Sequence, residues 1–298
     1  MTPEGAPPFH LGPDARVCII AGGGKLPIEL ARALDGQGLS PFIVLVEGEF
    51  DPDGGLERYE HETISLEEIG SLVAMLKRHR VSHLVLAGEI KRRPRIAAMH
   101  FNFGLLRIIP LLLIALMRGD DGLLRVFVRG IEARGIKVIG AHEVAPELVA
   151  TEGLFGRVAP RQADWADIEA ARIAAETIGA LDIGQGAVAI GGRAIALEGI
   201  EGTDGLLERV RDLRDHGRIA GRVRGVLVKC AKPGQEKRAD LPSIGPRTVA
   251  EAHAAGLAGI AVEAGHSLVL DGPEMVASAD ALGLFVLGLP PKGNGHGG

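Results

Sequence analysis

The stretch V-C-I-I-A-G-G-G-K-L-P-I-E-L-A-R-A-L, residues 17–34, reads as strand, turn and helix in immediate succession. Val17 to Ala21 is a short apolar run, and Gly22, Gly23 and Gly24 follow it. Leu26 to Leu34 then repeats apolar residues at helical spacing, with Pro27 in the first turn, where proline is tolerated. A glycine turn between strand and helix lets the backbone approach an anion, and the helix N-terminus offers it N–H groups. The turn is not G-x-G-x-x-G, because Pro27 takes the place of the third glycine. Nor is it a Walker A loop, because Leu26 follows Lys25 where Ser or Thr would hold magnesium. A tight turn with no ligand is the competing reading.

The alternation continues outward. Phe42 to Val46 reads as a strand. Ser65 with Glu68 forms a capping-box pattern opening a helix to His79. His83 to Ala87 is a third strand, running into Gly88-Glu89-Ile90-Lys91-Arg92-Arg93-Pro94. Gly119-Asp120-Asp121 opens a helix over Leu123 to Arg134, with acid at the favourable end. Ile136 to Ile139 is a fourth strand, followed by Gly140 to Glu143. Such an order predicts a Rossmann-like parallel sheet with helices on both faces over residues 16–150. Its ligand edge is the carboxyl end of the strands, where Gly22–Lys25, Glu89–Arg93 and Gly140–Glu143 fall.

After Leu148 the pattern lapses, and residues 151–163 read as a linker. Residues 164–290 form a second, mixed α/β domain. It opens with a helix over Trp165 to Gly179, capped by Asp164. A hairpin follows, Ala187–Ile190 and Arg193–Leu197 about Gly191-Gly192. Glu198, Glu201, Thr203 and Asp204 come next, before a helix ending near His216. A strand at Val226, strands at Ile260–Glu263 and Ser267–Leu270, a helix over Pro273–Leu282 and a strand at Leu284–Leu287 complete it. Residues 1–15 and 291–298 read as loose tails.

Composition narrows the function. The chain has 298 residues, 46% of them hydrophobic and 24% charged, which is an ordinary globular balance. A net charge of −5 argues against a general nucleic-acid binder. Two cysteines, Cys18 and Cys230, cannot build a disulfide framework or a four-thiolate zinc site, and they fit a reducing, cytoplasmic setting. No secretory signal is visible. The greasiest segment, Phe103 to Met117, is broken by Arg107 and Pro110 and is too short to cross a bilayer. It reads as a buried helix, an acyl-chain groove or a surface that touches the membrane.

The chemistry concentrates in Lys229 to Thr248, K-C-A-K-P-G-Q-E-K-R-A-D-L-P-S-I-G-P-R-T. A β-branched run feeds into it, and a proline-led helix leaves it. Rigid turn residues beside many cations mark a loop at a strand end, where α/β proteins place their sites. Lys25, Lys91, Arg92, Lys229, Lys232 and Arg238 suit a phosphate or diphosphate. Asp240, Glu201, Asp204, Asp120 and Asp121 could place magnesium or orient water. Each taken alone is equally a surface charge. Cys230 reads as a packed small residue, and His142 as structural or functional alike. No H-E-x-x-H, G-x-S-x-G or C-x-x-C pattern occurs.

Six motifs then fall in order along nearly the whole chain. They are I-A-G-G-G-K-L-P at Ile20–Pro27, G-D-D at Gly119–Asp121 and G-A-H-E-V-A-P-E-L at Gly140–Leu148. L-D-I-G-Q at Leu181–Gln185, E-G-T-D at Glu201–Asp204 and K-P-G-Q-E-K-R-A-D-L-P-S-I-G at Lys232–Gly245 complete the set. Together they resemble the LpxI type of UDP-2,3-diacylglucosamine diphosphatase. The resemblance implies a two-domain enzyme of lipid A biosynthesis that binds its substrate between the domains. It implies magnesium-assisted hydrolysis of the diphosphate by water attacking the sugar-side phosphorus. It also implies a cytoplasmic protein meeting its lipid-linked nucleotide sugar at the inner-membrane surface. On that basis Asp240 is the acid needed for hydrolysis, as Mg²⁺ ligand or water-orienting base, with Lys229 beside it. Lys232 and Gln235 would hold the diphosphate, Glu201, Thr203 and Asp204 would lie near sugar or metal, and Gln185 would touch substrate. Gly23, Gly24 and Lys25 would bind part of the nucleotide or phosphate. Glu236 stands where the family pattern calls for Asp. A homo-oligomer is compatible with the sequence and unspecified by it. A Rossmann-type oxidoreductase and a non-catalytic nucleotide-sugar sensor remain as alternatives.

Overall fold

The structure, a computed structural model, describes residues 11–12, 14–92, 120–219, 224–233 and 236–291, with the backbone alone at 120, 121 and 123. Phe103–Met117, Gly119 and Gln235 lie outside the described residues. The chain divides into two compact units. The first comprises residues up to Glu147 together with Glu236–Asp240, and the second is the remainder.

In the first unit β1 (Val17–Ala21), α1 (Leu26–Gly36) and β2 (Phe42–Val46) follow the expected order. Then come β3 (Glu60–Ile64), a 3-10 turn at Leu66–Ser71, α2 (Leu72–Arg78), β4 (His83–Ala87), α3 (Asp120–Glu132) and β5 (Lys137–Val138). The strands lie in the order β3-β2-β1-β4-β5, all parallel. Every residue of β1 and β2 is buried, as befits strands covered on both faces. Cys18 and Ile20 pack with Phe42, Val44 and Leu84 beneath Leu72, Leu76 and Val128 of the helices. The helix expected from Ser65 starts as a 3-10 turn carrying the capping box and becomes α-helical only at Leu72. Burial pushes the Cys18 thiol well above its ordinary range.

The second unit runs β6 (Gly153–Phe155), α4 (Asp164–Ala180), β7 (Gly186–Ala189), β8 (Ala194–Leu197), α5 (Gly202–Asp215) and β9 (Val226–Lys229). It continues with β10 (Ser243–Ile244), α6 (Pro246–Ala254), β11 (Gly259–Glu263), β12 (Leu268–Val269), α7 (Gly272–Leu282) and β13 (Phe285–Leu289). Six strands form a mixed sheet, β6-β13-β11-β9-β7-β8, whose centre, β13-β11-β9, is parallel. β6, β7 and β8 add antiparallel edges, and β10 pairs with β12 separately. Residues 151–163, read above as a linker, thus contribute strand β6.

Alternation along the strands divides the core. Leu227, Ile260, Val262 and Val286 face α5, α6 and α7 through Leu206, Val210, Val249 and Met275. Val226, Val228, Ala261 and Phe285 face α4 through Ile168, Ala171 and Ala175. Asp164, 2% exposed, accepts from Arg161 N–H and pairs with Arg224 across 60 residues, so it ties down the start of α4.

Candidate active site

Strand direction decides which side chains meet in the second unit. β9 and β11 end at one edge, and antiparallel β7 begins there while β8 ends there. Lys229 at the end of β9 is 5% exposed, and its ammonium donates to Ser243 O at 3.0 Å. Next, Cys230 N–H donates to Gln185 O at 2.9 Å, which stitches the β9 loop to the turn before β7. Ala231 N–H donates to Glu263 Oε2 at 3.2 Å, and Glu263 Oε1 lies 3.1 Å from His266 Nδ1. Lys232 Nζ donates to Asp182 at 2.8 Å, and Asp182 sits at φ 55°. The lysine is mostly covered, at 12% side-chain exposure, and its position is set by that carboxylate.

Three acids follow β8. Glu198 turns inward, 5% exposed, and accepts from Gln185 N–H at 3.1 Å and from the Thr203 hydroxyl at 3.0 Å. Glu201 turns to Arg209, which also donates to Leu197 O at 2.7 Å. Asp204 pairs with Arg247 at 2.5 Å. Of the expected metal trio, Glu201 and Asp204 lie in this unit, and Asp240 lies on the segment Glu236–Asp240 of the other. Two of the three are neutralised by arginine, and among the described residues no three His, Cys, Asp or Glu side chains form a ligand set.

The first unit treats its glycine turn differently from the phosphate-cradle reading. Gly22 N–H donates to Ala87 O and Gly23 N–H to Glu89 O, both at 2.8 Å, and Glu89 N–H returns a bond to Gly23 O at 3.0 Å. The two loops cross so closely that a Cβ on Gly22 would lie 2.6 Å from Glu89 O, and one on Gly88 2.4 Å from Gly23 O. Those glycines serve a backbone crossing, and the Gly22 and Gly23 N–H groups are not presented to an anion. Gly24, at φ 87°, and exposed Lys25, the N-cap of α1, are what remain for a ligand. Past the ends of β2 and β4 an open cavity of about 570 Å³ is lined by Glu47, Gly48, Glu49, Lys91 and Arg92. Glu49 fixes its rim by accepting from the N–H groups of Lys91 and Arg92, both at 2.9 Å.

Asp240 arrives in this first unit on the segment Glu236–Asp240. Arg238 anchors it. Its guanidinium makes a fork to Glu236 at 2.8 and 2.9 Å, reaches Glu132 of α3 at 2.6 Å, and lies 3.4 Å from Val138 O at the end of β5. Ala239 packs on the core, and Asp240 N–H donates to Glu236 O at 3.1 Å. Asp240 itself is half-buried. The Glu236 carboxyl is held below its usual range, first by the hydrogen bonds from Arg238, against an opposing push from burial. That gives Glu236, the departure from the expected Asp, a part: it holds the arginine that holds the loop. Sequence reasoning missed this bracket, and it named Glu198 and Glu263 without giving them a part in the site.

Residues 16–148 match the LpxI N-terminal domain, and residues 151–287 match the LpxI C-terminal domain. The chain belongs to the LpxI family. UDP-2,3-diacylglucosamine pyrophosphatase LpxI of Caulobacter vibrioides is 42% identical over 276 residues, covering 92% of this chain and 97% of that protein. Among solved structures, a putative NAD-dependent epimerase/dehydratase from Methylobacillus flagellatus aligns with 41% of this chain and 34% of its own, at 17% identity and a TM-score of 0.23. So low a score carries no argument about fold or cofactor. No helix among the described residues is long and apolar enough to cross a membrane.

Proposed function

We propose that this LpxI-family chain hydrolyses the diphosphate bond of UDP-2,3-diacylglucosamine, releasing UMP and 2,3-diacylglucosamine 1-phosphate for lipid A biosynthesis. What carries the reading is that both LpxI domains match in order and that the pyrophosphatase from Caulobacter is 42% identical across 97% of its length. Water attacks the sugar-side phosphorus, the bond from that phosphorus to the bridging oxygen breaks, and the bridging oxygen leaves with UMP. Chemistry of this kind mostly needs positioning and charge neutralisation.

The chain's residues divide that work. Asp240, on its arginine-anchored segment, orients the attacking water and accepts its proton. Lys229 and Lys232 neutralise the diphosphate, the second exchanging Asp182 for a phosphate oxygen, and Gln235 belongs with them by its place in the loop. Gly24 and Lys25 contact the nucleotide end. Magnesium is proposed as cofactor. When bound it would supply charge neutralisation; Asp240, if it serves as ligand rather than base, would hold it, with Glu201 and Asp204 joining only on leaving their arginines. The reading includes a cytoplasmic protein that meets its lipid-linked substrate in transient contact with the inner-membrane surface.

The test is UMP release from UDP-2,3-diacylglucosamine by purified protein, run in H₂¹⁸O with and without a chelator. Label in the sugar phosphate, and suppression on chelation, are expected. Binding without release would identify a sensor instead, and label in UMP would move the attack to the other phosphorus.

A further inference from the structure

At the carboxyl edge of the second unit's sheet, Glu198 is enclosed by its own neighbours. Its backbone N–H donates to Gly186 O at 2.8 Å. A Cβ on Gly186 would fall 2.7 Å from its carboxylate, and one on Gly184 2.2 Å from its carbonyl oxygen. Glycine is thus required at 186 against the carboxylate and at 184 against the Glu198 backbone. One carboxylate oxygen accepts from Gln185 N–H at 3.1 Å and the other from Thr203 Oγ at 3.0 Å.

A carboxylate only accepts hydrogen bonds, whereas a threonine hydroxyl has one hydrogen to give and two lone pairs to offer. With its hydrogen directed at Glu198, Thr203 shows a ligand lone pairs alone. A phosphate oxygen there would set acceptor against acceptor. We infer that Glu198 is a positioning residue that makes Thr203 an acceptor-only contact, so that this part of the site selects a hydrogen-bond donor, an N–H or O–H of the substrate. The inference rests on the proposed hydrolysis and divides the site: the lysines at the end of β9 take the diphosphate, and Thr203 takes a neutral donor. In the proposed substrate that donor belongs either to the uracil ring or to the glucosamine, through a hydroxyl or the acylamide.

The two reaction products separate those sources. Titrate UMP, and separately 2,3-diacylglucosamine 1-phosphate in mixed micelles, into the wild-type chain, Thr203→Val, Glu198→Gln and Thr203→Ser, with melting temperatures alongside. Thr203→Val keeps the shape and removes the lone pairs. Glu198→Gln lets an amide N–H donate to Thr203 and turns the hydroxyl hydrogen outward. In Thr203→Val one product should bind about tenfold more weakly, the size of one hydrogen bond, while the other stays within twofold; Glu198→Gln leaves Thr203 one lone pair and frees its hydrogen, so it should weaken the same product by less. The product that weakens names the donor, and Thr203→Ser should restore it. Folded Thr203→Val that binds both products within twofold of wild type, or loses both equally, overturns the inference and leaves the hydrolysis standing. If Glu198→Gln does not fold, Thr203→Val alone decides. A wild-type chain that binds neither product and releases no UMP overturns the functional reading, and this inference with it.

Discussion

Arg238→Ala probes how Asp240 is held. The guanidinium carries hydrogen bonds to Glu236 and Glu132. The three side chains are 33%, 17% and 35% exposed, so the pairs are neither dry nor fully screened. Exposed pairs contribute about 0.2–1 kcal/mol and hydrogen bonds to charged groups about 1.5–3 kcal/mol. An intermediate value near 1 kcal/mol per carboxylate puts the loss at about 2 kcal/mol. For a unit of this size that corresponds to a fall in melting temperature of roughly 4–8 °C. The functional consequence is larger than the stability change suggests. Release of Glu236–Asp240 from α3 and β5 lets the Asp240 carboxylate drift, and a misplacement of about 1 Å can cost on the order of 100-fold in rate. The assay is UMP release at saturating substrate beside a thermal melt, with Arg238→Lys as a second variant that keeps the charge without the fork. Lysine should recover part of the melting temperature and little of the turnover. An alanine variant with wild-type turnover would refute the claim that Arg238 positions the catalytic segment.

Three further outcomes follow from the geometry. Gly88→Ala puts a methyl group 2.4 Å from Gly23 O at φ 86°, so it should cost about 3 kcal/mol, read by chemical denaturation. Glu236 has its carboxyl pKa depressed on folding, so its contribution is present above the unfolded value of about 4.3 and is lost as pH falls through the lower folded value. Glu236→Gln should therefore flatten the acid limb of a stability–pH curve. UDP-glucosamine, lacking the acyl chains, should be hydrolysed with lower kcat/KM, because remote binding energy contributes to the rate; equal efficiency would show that no acyl contact matters.

Parallel strands were the easiest feature to read. β1 and β2 are continuous apolar runs and β4 is one after His83, and their limits coincide with the strands expected from the sequence. β3 escaped because Glu60-His-Glu-Thr-Ile is an edge strand dressed in charge, as edges commonly are. β6 and β10, of three and two residues, are too short to show a period. In the site, residue types were legible and their engagements were not. Asp182 reaches Lys232 from 50 positions away, Arg247 meets Asp204 from another helix, and Arg238 reaches Glu132 across 106. Such partners are chosen by tertiary packing, so acids that look free in a loop turn out to be neutralised. The glycine turn shows the same limit: its composition fits a phosphate as well as a backbone crossing, and only the register of Gly23 with Glu89 separates them.

The measurement closest to the centre of this account is single-turnover hydrolysis by Asp240→Ala, with substrate affinity and melting temperature determined on the same preparation. Loss of a general base costs about 10²–10⁴-fold in rate. The variant should fold, bind UDP-2,3-diacylglucosamine like wild type and release UMP at least 100-fold more slowly. A folded Asp240→Ala chain with near-normal turnover would contradict it.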